Sequence, residues 1–323
     1  MRTWEQWAWA GVLLVCLGIG LWMGRIVAPV PVVGVVRFDA AIDFQTSAAL
    51  VDVLDQARKN DTVAAVVLEV TSPGGYATSS ENIFYAILQL RAVKPVVVVV
   101  DGLAASGGYY MAAAANRIYA PASSQVGNIG TRGPRPIDPY LSPDELSSGP
   151  YKFSGGSRFD QIYQLDLTKE AFVNNVIAQR RSAELNPLKI DKRTVEEARI
   201  YLGSEAIALG LIDAEGGRTD AILAAADLAG LSQYQVVNLV QFLRADMPPM
   251  LGYSEAVRRM VDNAPPDAVF LLDSRIPLAG AQDGSLLERH MLELRRAAPA
   301  SIERPSWLAP IAPVPANQQG GGS

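Results

Sequence analysis

The chain has 323 residues, 49% hydrophobic and 19% charged, which is enough for one large α/β domain with a buried core. Its net charge is -5 and its basic residues form no long cluster, a balance that argues against a nucleic-acid partner. One cysteine, Cys16, excludes an internal disulfide and a cysteine-based metal site, and no metal or cofactor is expected.

Residues 8–24 carry no charge, and Trp4, Trp7, Trp9 and Trp22 cluster near the two ends. A spanning helix needs roughly 20 apolar residues, with about 17 as the lower limit, so this stretch is expected to anchor the chain in a lipid bilayer. A cleaved signal peptide and a lipoprotein signal at Cys16 are the alternatives. No small-x-small cleavage site follows, and Val15 is bulky for a lipoprotein signal. Residues 28–31 read as a short stiff linker.

Apolar runs then alternate with helical spacing. Strands are predicted over 32–38, 63–70 and 96–100, and helices over 47–59 and 79–91. Continuous β-branched runs imply strands covered on both faces, and the alternation implies parallel pairing with right-handed crossovers: an α/β fold. A helix opened by a glycine pair is expected over 106–115. Residues 130–157 are rich in Gly, Pro and Ser and read as irregular. Helical patterns resume at 168–185, 195–200, 204–209, 219–230 and 252–262, and the Pro- and Gly-rich end from 298 reads as disordered.

Two turns carry chemistry. Ser72-Pro73-Gly74-Gly75 follows a strand and precedes a helix, a setting in which backbone N–H groups approach a ligand closely. Asp101 to Tyr110 repeats the setting, with Ser106 on a small-residue turn ahead of Gly107 and Gly108. A serine there either caps the helix or presents a nucleophilic hydroxyl beside the N–H groups that follow it. Parallel strands deliver both turns to one sheet edge, and this favours the nucleophile.

The base must come from short lists. His290, the one histidine, sits in a charged run and reads as a solvated surface residue. The six lysines are Lys59, Lys94, Lys152, Lys169, Lys189 and Lys192. A buried lysine amine loses its proton more easily and can accept one from serine. Lys152 is favoured because it lies in an irregular Gly/Ser-rich segment between Tyr151 and Phe153, although composition leaves the other five open.

Ser-Pro-Gly-Gly paired with Ala-Ser-Gly-Gly-Tyr-Tyr resembles the signal peptide peptidase A family of Ser/Lys membrane proteases. The resemblance runs from about Val32 to Ile222. It takes in Ser148 to Lys152, which matches the Ser-Gly-x-x-Lys around the family's lysine, and the stretch from Ile200 to Asp213. It implies a Clp protease/crotonase-like fold (a ββα superhelix) and a homo-oligomeric ring. It also implies cleavage of remnant signal peptides and other membrane-associated or unfolded polypeptides. Ser106 would then attack the carbonyl, Lys152 would move the proton, and Gly74 or Gly75 with Gly107 would hold the oxyanion. Asn128 stands where relatives often carry a serine bonded to the lysine. Arg158, reached by another alignment, stays protonated and cannot serve as a base.

On this reading the chain divides into an anchor and linker (1–31), a protease domain (32–230), a helical C-terminal extension (231–297) and a tail (298–323). The catalytic domain is expected outside the cytoplasm on a single-pass anchor. Two competing readings are a crotonase-type enzyme acting on acyl thioesters and a catalytically weak or inactive scaffold that binds membrane-protein segments.

Overall fold

A strand buried on both faces must be apolar at every position, and the three valine-rich runs meet that demand. The computed structural model of the chain describes residues 3–27, 30–133, 157–248 and 269–273, with positions 148, 257, 259, 260 and 263. Helix α1 spans Thr3–Val27, strand β1 Val32–Asp39, helix α2 Phe44–Lys59, strand β2 Val63–Ser72, strand β3 Gly74–Tyr76 and helix α3 Ala77–Arg91. Strand β4 (Val96–Ala105), helix α4 (Gly107–Ala113), strands β5 (Arg117–Ala120) and β6 (Gln125–Gly127) and helix α5 (Arg158–Arg181) follow. Then come α6 (Lys192–Glu196), β7 (Ile200–Leu202), α7 (Gly203–Leu209), β8 (Ala214–Glu215) and α8 (Arg218–Leu228). The described elements end with β9 (Gln235–Asn238), α9 (Leu239–Leu243) and β10 (Phe270–Leu272).

The main sheet is mixed and runs β7-β6-β4-β2-β1-β9, with β5 joining β4 to β8. All its pairs are parallel except β6 with β7. Strand residues alternate between two cores. Val36 and Phe38, Leu68 and Val70, and Val98 and Val100 pack with Leu50, Leu54, Phe84 and Ile87 of α2 and α3. Val33, Val35, Ala65, Val67, Val97 and Val99 face the alanines of α8, from Ala221 to Ala226. Side chains that small let the helix lie close to the sheet.

Several boundaries differ from expectation for identifiable reasons. β4 runs past its valines to Ala105, because residues 103–105 find partners in β6 while 97–99 pair with β5. α5 starts at Arg158, well ahead of Thr168, where Ser157 and Asp160 form a capping box. The stretch 195–200 is not one helix: α6 ends at Glu196, and Ile200 opens β7, paired with β6.

The segment read as a helical extension holds α9 and also contributes two strands, β9 beside β1 and β10 beside β3. At the first of these places Gly34 leaves room for Leu239, whose Cδ1 would stand 2.6 Å from a Cβ there. Of the helix expected over 252–262, positions 257, 259 and 260 are described and are helical. The tail 298–323 and the irregular stretches 134–147 and 149–156 lie outside the described residues.

Helix α1 has 25 residues, roughly 38 Å at 1.5 Å per residue. Its described side chains, Trp7 and 9–20, are exposed, and those at its two ends lie outside the described set. Among the described residues no helix is long and apolar enough to cross a membrane.

Candidate active site

Ser106 occupies the single residue between the last position of β4 and the first of α4. Its backbone sits at φ 55 and ψ -117, a region that costs a non-glycine residue about 1–3 kcal/mol. The surroundings impose that geometry: Ser106 N donates to Gly127 O (2.8 Å), and its carbonyl accepts from Tyr110 N (2.8 Å). Ala104, Ala105, Gly107 and Gly108 around it are small and buried, so the chain can turn this sharply inside the protein.

The helix-cap reading of Ser106 is not what the side chain does. A capping serine has extended backbone and accepts from an N–H of the first turn, as Asp43 does for α2; Ser106 makes no such bond. Its hydroxyl approaches Gly130 O at 3.4 Å, beyond the 2.5–3.0 Å of a good O–H···O bond. Ser106 is itself buried, and a weakly held hydroxyl on a strained strand-to-helix turn is the geometry of a nucleophile elbow.

The other glycine turn is locked to this one. Ser72 Oγ donates to Ala40 O (2.7 Å) and accepts from Gly74 N (3.2 Å), so the Gly74 N–H is already engaged. Gly74 has φ +88, and a Cβ on it would stand 2.7 Å from Gly107 N and collide with the carbonyl oxygen of Leu271. On Gly108 a Cβ would stand 2.6 Å from Ser72 O. Glycine is therefore required where the two turns touch.

The Gly75 N–H has a partner that no sequence pattern suggested. Ala77 N donates to Val269 O and Asp273 N to Pro73 O, with Leu271 opposite Gly75 between them. In an antiparallel ladder alternate pairs are hydrogen-bonded, so Gly75 N–H donates to the Leu271 carbonyl. Beside it runs a groove of about 490 Å³, lined by Phe44, Tyr76, Tyr110, Leu167, Phe172 and Leu271 among others. Tyr110 stacks on Phe84 and packs against Phe172, and burial pushes its phenol pKa well up, which suits a wall of the groove.

Ser106, Gly107, Gly74 and Gly75 thus come together. Asn128 lies one residue beyond Gly127, at φ 56, with its Nδ2 donating to Ala198 O (2.7 Å) and its backbone N to Arg199 O (2.7 Å). Lys152 lies outside the described residues.

Four of the other lysines have partners of their own. Lys59 pairs with Asp55, Lys169 with Asp166 and Lys192 with Glu170. Burial lowers the Lys94 pKa, but its amine donates to Ala57 O and Asn60 O at the opening end of β4, the end opposite Ser106. Lys189 is exposed.

The motif stretch that ends at Asp213 serves packing. Arg180 bonds both carboxylate oxygens of Asp213 (2.8 and 3.0 Å), and Asp213 also accepts from Ile118 N.

Comparison with known proteins gives the site a context. The profile of Peptidase family S49 matches residues 89–134, the stretch that holds β4, Ser106 and Asn128. A putative protease of Methanocaldococcus jannaschii is 32% identical over 204 residues, 58% of this chain and 63% of that protein. Protease 4 of Salmonella typhi is 34% identical over 194 residues, 56% of this chain and 31% of its own length. A putative protease of Synechocystis is 30% identical over 217 residues, 62% of this chain and 76% of that protein. The chain therefore spans less than two thirds of the archaeal relative and under a third of the Salmonella one.

Proposed function

The chain belongs to peptidase family S49, and on that premise we propose that it is a membrane-anchored serine endopeptidase with Ser106 as nucleophile and Lys152 as general base. The observation that carries the reading is the Ser106 turn: a strained, uncapped serine, its hydroxyl weakly held, beside two interlocked glycine turns.

In the proposed reaction the neutral Lys152 amine takes the proton of Ser106 Oγ as that oxygen attacks a peptide carbonyl carbon. The tetrahedral oxyanion is held by backbone N–H groups of Gly107 and of Gly74 or Gly75; the last two already have partners, Ser72 Oγ and the Leu271 carbonyl, which the oxyanion displaces. The Lys152 ammonium then protonates the leaving amine, and water releases the acyl group by the same steps. Elimination supports the base assignment, since four of the other lysines are held by partners elsewhere and Lys189 is exposed.

We assign remnant signal peptides and other membrane-associated or unfolded polypeptides as substrates, in the Clp protease/crotonase-like fold and ring assembly that the family resemblance implies. Residues 8–24 would hold the chain at a bilayer, with the catalytic domain outside the cytoplasm. The exposed apolar side chains of α1 support that placement.

The scaffold alternative draws on Asn128, which stands where relatives often carry a serine bonded to the lysine. Hydrolysis of an unfolded polypeptide by the full chain in detergent tests the assignment. Loss of about three orders of magnitude or more in both Ser106→Ala and Lys152→Ala is expected. Activity retained in Lys152→Ala but lost in Lys169→Ala would move the base. Peptide binding with no hydrolysis in any chain would favour the scaffold.

A further inference from the structure

The chain beyond α9 returns to the candidate site as an extended segment, Val269–Asp273. On one edge it pairs with the glycine turn: Ala77 N donates to Val269 O (2.9 Å), Asp273 N to Pro73 O (2.6 Å), and Leu271 lies opposite Gly75. On the other edge Phe270 exchanges both backbone bonds with Arg132 (3.0 and 2.8 Å). The segment is a strand with partners on both sides, set in a slot between the turn at Gly74–Gly75 and the chain that follows Gly130.

Side-chain alternation gives the slot a polarity. Val269 and Leu271 line the aromatic groove, and Leu271 is 1% exposed. Phe270 and Leu272 point the other way, into a small cluster with Tyr76, Val257 and Met260, and Phe270 stacks on Tyr76 at 5.1 Å. The Leu271 carbonyl oxygen accepts the Gly75 N–H, and a Cβ on Gly107 would stand 3.0 Å from it. A backbone carbonyl of this chain therefore lies against Gly74, Gly75 and Gly107, the turn residues whose N–H groups would hold the carbonyl a peptidase attacks.

Among the described residues none of the strands of the main sheet pairs with this segment; β10 pairs with β3 and bridges to Arg132. Taking it out would leave the main sheet intact and would open an extended slot with free backbone groups on both edges. Such slots bind peptides by strand addition, with backbone bonds supplying affinity and alternate side-chain pockets supplying specificity.

We propose that Val269–Asp273 is a built-in occupant of the peptide-binding slot, an autoinhibitory strand that substrates displace. Its Leu271 then marks the side chain the slot selects on the acyl side of the cut: an aliphatic one, with a second apolar residue two positions before it. The proposal rests on the peptidase reading above, and one experiment separates the two.

In the full chain, Leu271→Asp places a carboxylate in the apolar groove, and Asp273→Pro removes the N–H bonded to Pro73. Both variants should hydrolyse an unstructured apolar reporter peptide with KM lowered by about tenfold or more and kcat changed by less than about twofold. This is the signature of a competing internal ligand, because apparent affinity scales with the open fraction. In a Ser106→Ala background, a fluorescent synthetic peptide of residues 268–273 should bind the Leu271→Asp chain at least about tenfold more tightly than its parent.

Equal KM and equal peptide affinity in parent and variants, all with intact circular-dichroism melts, would overturn the proposal. A raised KM in folded variants would also overturn it, since the strand would then be building the site. If no chain hydrolyses the reporter while peptide affinity still differs, the slot assignment stands and the peptidase reading fails.

Discussion

Two buried polar positions of this protein are built in opposite ways. Arg180 and Asp213 saturate each other: the guanidinium holds both carboxylate oxygens and the carbonyls of Gly210 and Asn186, and Asp213 also takes the Ile118 N–H. Ser106 has a strained backbone and, among the described residues, one long contact from its hydroxyl to Gly130. Both fall within the stretch of family resemblance. A saturated group can only hold its neighbours in place, whereas a strained group with a weak partner is available to react. The contrast separates a structural motif from a chemical one without reference to any relative.

The contrast breaks most clearly at Asp213. Asp213→Ala leaves the Arg180 charge buried without its partner and should cost about 3–5 kcal/mol of stability, read as a lower urea midpoint. Activity per folded molecule should stay within about twofold. A selective loss of kcat with unchanged stability would show that this ion pair takes part in the chemistry.

A smaller effect is expected where the two turns meet. Gly108→Ala puts a methyl 2.6 Å from Ser72 O and should cost about 1–3 kcal/mol, together with a fall in hydrolysis. Stability lost without any change in turnover would mean that the contact between the turns does not position Ser106.

The smallest change in stability is the most diagnostic, because its sign is reversed. Ser106→Gly relieves the positive φ and should raise stability by about 1 kcal/mol while abolishing hydrolysis. A melting temperature that falls instead would show that the serine side chain supports the fold.

Much of this architecture was legible in the residues. The valine runs of β1, β2 and β4 are strands because β-branched side chains suit a sheet covered on both faces. Helix α2 was legible over 47–59 from its apolar spacing, whereas the Asp43–Thr46 capping box that starts it at Phe44 was not. Strands β6, β7, β9 and β10 were not legible. Each has three or four residues, and partners distant in sequence rather than its own composition make it a strand. Val269–Leu272 is apolar and β-prone, but nothing local says that it lies against Gly75, nearly two hundred residues away in the chain.

By itself the sequence determined the alternation of strand and helix, the two glycine turns at one sheet edge, and Ser106 on a small-residue turn that opens a helix. These depend on side-chain shape, periodicity and the conformational freedom of glycine, which act over a few residues. Tertiary structure decided the rest: the strain at Ser106, the commitment of the Gly74 N–H to Ser72, the Ala198 carbonyl as partner of Asn128, and the Leu271 carbonyl against Gly75. Each is a hydrogen bond or close contact whose two ends meet only after the core has packed, so the choice of partner belongs to the fold and not to any local segment.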